Sequence, residues 1–360
     1  MIVDDLDSPL DTQTRWFCAS LFEGGSTESI ESDNPVDFEE NIKTATLSWV
    51  DFRTGDFEKD LALASKLGFS EPLITALTSS PHNHYEDLKT EMGIKLPSIQ
   101  VSGDAEPEVQ STFTYVFLKN HLILTVHPLE VDRRYAKLRK YADTVLKKIQ
   151  NIDGWEDRLT QLLIRLIETN NDRNFDHLRE IEERSDTLNK SMMDPNTPQK
   201  VLGVQIYTMK HALIVYLDAL WETVDVIREL HFGDADLISD SPQLLENLGN
   251  LAEDVNRHIS LTENMSDMLA SGLNVMQSIY NNQLQTWNNK LTTVVAYLTI
   301  LGTAVLVPNT LATVLGNTAF NMDSGDIGWY LSLLVVSTTL AVIGTFWWVK
   351  KVGLIPGKSE

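Results

Sequence analysis

A chain of 360 residues with 51 Asp and Glu against 29 Lys and Arg carries a net charge of −22, which argues against nucleic acid as a partner, because phosphate contacts need clustered bases. The length allows about two domains. The single cysteine, Cys18, excludes a disulfide framework and a thiolate zinc site, and suits a reducing compartment.

The acid lies almost wholly before Lys290, where it serves as a solubility surface or as an attractor of cations. The opening MIVDDLDSPL places acid where a signal peptide needs a basic and then an apolar segment, so export of the N-terminus is not expected. Residues 1–128 read as an α/β cytosolic domain. TRWFCASL, TATLSWVDF, PSIQVSG, STFTYVFLK and HLILTVHP have the Val, Ile, Thr and aromatic content of strands, and Lys119-Asn120 marks a hairpin between the last two. DFEKDLALASKLG and SEPLITALTSS read as helices, the second with Ser70 as its N-cap. His82, His84, His121 and His127 are expected at the surface or in packing. Strand signals stop after Pro128. Residues 129–240 form a helical region with apolar residues at three-to-four spacing, broken by DPNTP at 194–198.

A final helix opens at Ser241-Pro242, a cap followed by proline at the first helical position, and meets no further proline until Pro308. Such a helix is a rod of roughly 100 Å. Its stripe of Leu248, Leu251, Val255, Met265, Leu269, Met276 and Ile279 is weakened at His258, Thr262 and Gly272. This length suggests a stalk, 241–290, that continues into a membrane span. Residues 291–322 and 327–349 contain no charge. The first span is read as 291–315, an external loop as 316–326, the second span as 327–349 and a cytosolic tail as 350–360. Trp329 and Tyr330 begin the second span and Trp347 and Trp348 end it, as an interfacial aromatic belt requires. Lys290, Lys350 and Lys351 flank the spans, while the loop between holds Asp323 and Asp326 and no base. The positive-inside rule then puts both termini in the cytosol of a multi-pass cell-membrane protein.

Within the first span Thr299, Thr303, Leu306, Thr310, Thr313 and Asn317 recur at steps of three and four. Backward, the same face takes Ala296, Thr292, Asn289 and Gln285. Uncharged oxygens in a ring suit a hydrated hard cation, which sheds water reluctantly. Hydroxyls in a span equally serve helix packing. If the face lines a pore, several copies must surround an axis. Leu306 is then the large apolar member of the face, with Leu298 nearby, and both are gate candidates. The amides of NNQLQTWNNK form either a polar vestibule or a solvated interfacial turn.

The hairpin FLKNHLILTVHP, the acidic helix NDRNFDHLREIEERSDTLNK, the helix MKHALIVYLDALWETVDVIREL, Leu298-Thr299 with Pro308 in the first span, and the terminal Lys350-Lys351 together resemble the CorA family of magnesium channels over nearly the whole chain. The resemblance implies an α/β head, a long helical stalk and two C-terminal transmembrane helices in a funnel-shaped homopentamer. It implies Mg2+ or another divalent cation as the transported and regulatory ion, with no organic cofactor. Its partners would be the lipid bilayer, divalent cations and copies of itself. Regulatory metal positions cannot be carried over residue by residue. The family ends its first span with Gly-Met-Asn, and here Gly316-Asn317-Thr318 stands in its place. A shift of one residue lets Asn317 occupy the asparagine's position. Asp323 and Asp326 would attract cations outside. A different ion such as Zn2+, Ni2+ or Co2+ is the alternative, although neither span offers His or Cys as a soft ligand. A non-conducting membrane scaffold or sensor is another. No phosphate-cradling loop, nucleophile elbow or metal-hydrolase spacing suggests an enzyme.

Overall fold

The computed structural model describes residues 16–55, 61–80, 83–102, 108–194, 197–232, 235–316 and 325–351, which fall into two compact units dividing after Gly272. The first unit is built on a seven-stranded sheet in the order β2-β1-β3-β7-β6-β5-β4. Its strands are β1 (Trp16–Leu21), β2 (Thr27–Ser32), β3 (Leu47–Thr54), β4 (Tyr85–Asp87), β5 (Met92–Ser102), β6 (Glu108–Lys119) and β7 (Leu122–Pro128). The β3–β7 pairing is parallel and the others are antiparallel. The β6–β7 turn is Asn120-His121, one residue later than the sequence suggests, with Asn120 left-handed at φ 45°. Asparagine tolerates that conformation better than most residues.

Side chains alternate across each strand. One face buries Trp16, Cys18, Val50, Phe52, Phe117 and Leu124 against Leu73 and Leu77 of α2 (Glu71–Ser79), and the rings of Trp16 and Phe52 stack at 3.9 Å. Ser70 caps α2 as its sequence indicates, accepting from the Leu73 N–H at 3.4 Å. Short α1 (Glu39–Thr44) precedes β3. The segment expected as a helix around 56–68 is a 3-10 helix over Leu61–Leu67 in its described part. The other sheet face meets α3 (Asp132–Lys140), α4 (Ala142–Ile149), α5 (Trp155–Met193) and α6 (Gln199–Phe232). Burial on both faces explains why β3 and β7 read as nearly continuous apolar runs.

Strand β5 begins at Met92, earlier than expected, and runs through Pro97. Proline belongs on a strand edge because it has no N–H to donate. Here β4 pairs with Met92, Gly93 and Ile94, and the His84 carbonyl accepts from the Lys95 N–H at 2.9 Å, so the edge is open from Pro97 onward. Helix side chains close it. Asn170 and Asn174 of α5 donate to the Pro97 carbonyl at 2.7 and 3.1 Å, Asn174 accepts from the Ile99 N–H at 3.0 Å, and Arg134 of α3 donates to the Ile99 carbonyl. Burial pushes the Arg134 guanidinium down to about 10.

Helix α6 follows the break at 194–198, and α7 (Pro242–Leu315) opens where expected, with Leu244 and Leu245 N–H groups on the Ser241 carbonyl at 2.9 and 3.0 Å. Leu248, Leu251, Val255, Met265 and Leu269 are buried. The three positions read as weak places belong to this packed seam. Thr262 is buried with its hydroxyl on the His258 carbonyl at 2.8 Å, and His258 stacks on Phe175 of α5 at 4.3 Å. Gly272 admits Met192, whose Cε would lie 2.5 Å from an added Cβ. Burial, helped by Arg257, holds the His258 imidazole down to about 4, which keeps it neutral in the seam. Beyond Gly272, Met276 and Ile279 are only half-buried.

Candidate functional site

The second unit contains the remainder of α7 and α8 (Ile327–Lys351), two helices long and apolar enough to cross a membrane. Almost none of their apolar surface is buried within the chain; among the described residues after Gly272 only Ala296 and Val349 are buried. For segments so rich in Leu, Val and Trp, that exposure needs a bilayer or further helices to cover it.

The polar stripe is present on α7 as a single face. Each threonine on it donates its hydroxyl to the carbonyl four residues earlier: Thr292 to Asn288 at 2.9 Å, Thr299 to Val295 at 2.9 Å, Thr303 to Thr299 at 2.8 Å, Thr310 to Leu306 at 2.8 Å and Thr313 to Asn309 at 2.7 Å. Such bonding satisfies the hydroxyl proton inside the helix and leaves oxygen lone pairs directed off the helix surface. The face therefore presents acceptors and no net charge.

Leu306 lies on this face and is exposed. Leu298 is also exposed, but at roughly 100° per residue it is turned well away from its neighbour Thr299. Leu306 is the large apolar side chain within the stripe itself. The helix continues through Pro308, which withdraws one backbone donor from its interior. At its end the Gly316 N–H still bonds the Ala312 carbonyl at 2.8 Å, and an added Cβ would meet that same oxygen at 2.8 Å. Asn317, Thr318 and Asp323 lie outside the described residues. Asp326 opens α8, accepting from the Trp329 indole N–H at 3.0 Å on its carboxylate and from the Tyr330 N–H at 3.1 Å on its carbonyl.

The head histidines are occupied structurally. His127 is fully buried with Nε2 3.3 Å from Asp51, His84 Nε2 is 3.6 Å from Glu222, and the His121 ring meets Trp155 edge-on at 5.3 Å. His82 lies outside the described residues. Among the described residues no group of three or more His, Cys, Asp or Glu side chains could hold a metal ion.

These features converge with a comparison of the chain to known families. The model describing CorA-like Mg2+ transporter proteins matches residues 44–351. The chain belongs to this family. It is thus a membrane protein of a divalent cation transporter family. No curated protein matches it in sequence. Among solved structures, it is similar to the complete CorA magnesium transporter from Methanocaldococcus jannaschii, with a TM-score of 0.67 and 17% identity over 95% of this chain and 99% of that one. The full-length CmaX protein is similar with a TM-score of 0.62 and 15% identity over 95% and 99%. The ZntB cytoplasmic domain from Vibrio parahaemolyticus RIMD 2210633 is similar with a TM-score of 0.52 and 14% identity over 75% and 99%. At these identities the structures establish a shared fold: the α/β head, the long helix and the two C-terminal apolar helices.

Two contacts near the spans went unread in the sequence. Lys290 Nζ lies 5.7 Å from the Trp287 ring centroid, and Lys351 Nζ lies 4.9 Å from that of Trp347. The signal for them was available, since the pairs fall at i,i+3 and i,i+4, where helix side chains meet.

Proposed function

We propose that this CorA-family chain forms a homopentameric channel that passes hydrated divalent cations, Mg2+ foremost, along the threonine face of α7. The observation that carries the reading is the alignment of five helix-bonded threonine hydroxyls on that one face. A hydrated cation turns the hydrogens of its waters outward, and Mg2+ keeps several of those waters when bound. A wall of hydroxyl oxygens whose own protons are committed to the helix accepts from these waters without stripping them. Five threonines from Thr292 to Thr313 keep acceptors on one face, interrupted by Ala296 and Leu306, and packing alone would not require that alignment.

In this reading α7 lines the axis and α8 lies outside it. The stripe is then hidden from lipid, as polar groups in a membrane must be, and a ring of identical copies closes. Lys290, Lys350 and Lys351 hold residues 1–290 and 350–360 in the cytosol and leave 316–326 outside. Gly316, Asn317 and Thr318 form the outer filter, and Asp323 and Asp326 raise the cation concentration at its mouth. The Asp326 carboxylate is held at the start of α8 by the Trp329 indole N–H.

Flux into proteoliposomes, compared for Mg2+, Zn2+, Ni2+ and Co2+, tests the function. Uptake with Mg2+ leading is expected; another ion leading would reassign the substrate, and no uptake of any would favour a non-conducting scaffold. The mass of the particle in mild detergent is expected to be that of a pentamer, and a monomer or dimer would remove the shared pore. Leu306→Ser is expected to raise resting conductance, since a ring of leucines gates by dewetting and serine would keep it wet. Unchanged resting flux in that variant would move the constriction elsewhere.

A further inference from the structure

The lysines at the membrane end of α7 and α8 have a feature that the channel reading does not use. Lys290, Lys350 and Lys351 are exposed, and among the described residues no acidic side chain pairs with any of them. Sequence explains this. No Asp or Glu occurs from residue 268 to 322, and none from 327 to 359. Copies placed side by side in one membrane would present the same acid-free segments to each other. In a chain with 51 acidic residues, the segments that carry these three bases offer them no acid of their own.

The lysines also share a level. Lys290 precedes Leu315, the end of α7, by as many residues as α8 contains, 25. Two spans joined by a short loop run in opposite directions, so at about 1.5 Å per residue both lysine groups stand ~37 Å from the loop. That is just past the ~30 Å hydrocarbon layer, among the headgroups of one leaflet. Trp287, Trp347 and Trp348 are exposed at the same level. The contacts of Lys290 with Trp287 and of Lys351 with Trp347 hold these ammonium groups at the aromatic belt. Trp287 stands roughly 200° round the helix from Asn289 of the polar stripe, so its ring draws Lys290 toward lipid and away from the face proposed for cations.

We propose that Lys290, Lys350 and Lys351, with Trp287 and Trp347 as ring platforms, bind the phosphate headgroup of an anionic phospholipid. The inference rests on the two spans and not on ion conduction. It identifies the counterion this zone lacks as lipid, because the aromatic rings place the ammonium groups in the headgroup layer.

The full-length protein in mild detergent, titrated with phosphatidylglycerol or phosphatidylcholine and read by native mass spectrometry, tests this. Wild type is expected to retain phosphatidylglycerol with a preference of about tenfold or more, given the gain per lysine at an anionic surface. The triple variant Lys290→Gln, Lys350→Gln, Lys351→Gln should lose that preference, and the triple arginine variant should keep it. Equal retention of the two lipids, or an unaffected glutamine variant, would overturn the proposal. Millimolar inorganic phosphate should not displace the lipid; if it does, the site recognises free anion and the lipid assignment fails. Because removing the lysines could disturb insertion, wild type is also reconstituted with brominated phosphatidylglycerol or phosphatidylcholine as a minor component. Tryptophan quenching should be stronger with the anionic lipid, and equal quenching would count against the proposal independently of any variant.

Discussion

Replacing Asp51 by alanine is expected to destabilise the sheet-bearing unit by about 3–5 kcal/mol, the usual cost of removing one partner from a buried ion pair. Asp51 is fully buried in β3 and joins three elements. It accepts from Thr125 and lies 3.3 Å from His127 Nε2, both on β7, and it accepts from Arg139 Nη1 of α3 at 2.5 Å. Arg139 Nη2 continues to Asp132 at 2.6 Å, and Arg53 Nε lies 3.7 Å from Asp132. Burial by itself would raise the Asp51 carboxyl, but His127, Arg139 and the Thr125 hydroxyl outweigh it and hold the group well below the usual carboxylate range. Alanine would leave Arg139 largely desolvated with half its partners gone.

For a unit of this size the loss corresponds to a fall in melting temperature on the order of 10 °C, measured by circular dichroism on the full chain in detergent. Because the native carboxyl is depressed, its contribution is complete above the unfolded value near ~4 and is lost as the pH falls below it. The gap between wild type and variant should stay constant from about pH 8 to 5 and narrow only below about pH 4. Asp51→Leu combined with Arg139→Met should recover part of the loss, since it removes both charges of the pair and leaves Asp132 to Arg53. A double variant no better than Asp51→Ala would mean that packing rather than unpaired charge sets the cost.

How much of this was legible depended on which constraint the residues obeyed. LSWVDF and HLILTVH read as strands because burial on both faces demands apolar residues at almost every position. Strand β2, TESIES, did not, because it is an edge where only Ile30 packs on the core and polar residues protect the exposed side. Asn170 and Asn174 carry no local signal of what they do. Their task depends on Pro97, more than 70 residues away, and on how far β4 extends, which local pattern does not encode. His258, Thr262 and Gly272 looked like gaps in a hydrophobic stripe. Each instead matches a specific neighbour: a ring for a ring, a hydroxyl satisfied within its own helix, and a missing side chain for a methionine. The threonine face was legible as a period. What it faces was not, because a single chain leaves it uncovered. That Leu298 and Leu306 stand in different directions follows from helix geometry once the helix is seen to run unbroken through both.

The largest functional effect is expected at Asn317, where this chain differs most from the family signature. Asn317 extends the steps of the threonine face by four beyond Thr313, and helical bonding persists as far as the Gly316 N–H. If the face lines the pore, each copy contributes one amide oxygen to the outer mouth. Those oxygens would hold a cation through its first-shell waters, at far lower cost than dehydration. Thr318, next in sequence, would support the turn with its hydroxyl. Asn317→Ala should therefore abolish both selectivity among divalent ions and block by cobalt hexammine, which mimics a hydrated ion with fixed ligands. Thr318→Ala should leave both nearly intact. If Thr318 faces the ion instead, the mouth is wider, its side chains are shorter and discrimination is weaker, and the two variants would exchange effects. The assay is flux in proteoliposomes with and without the blocker. The exchanged pattern would refute the register that places Asn317 on the stripe. A lack of effect from either variant in a conducting protein would move the filter away from 316–318 altogether, leaving the threonine face to set selectivity alone.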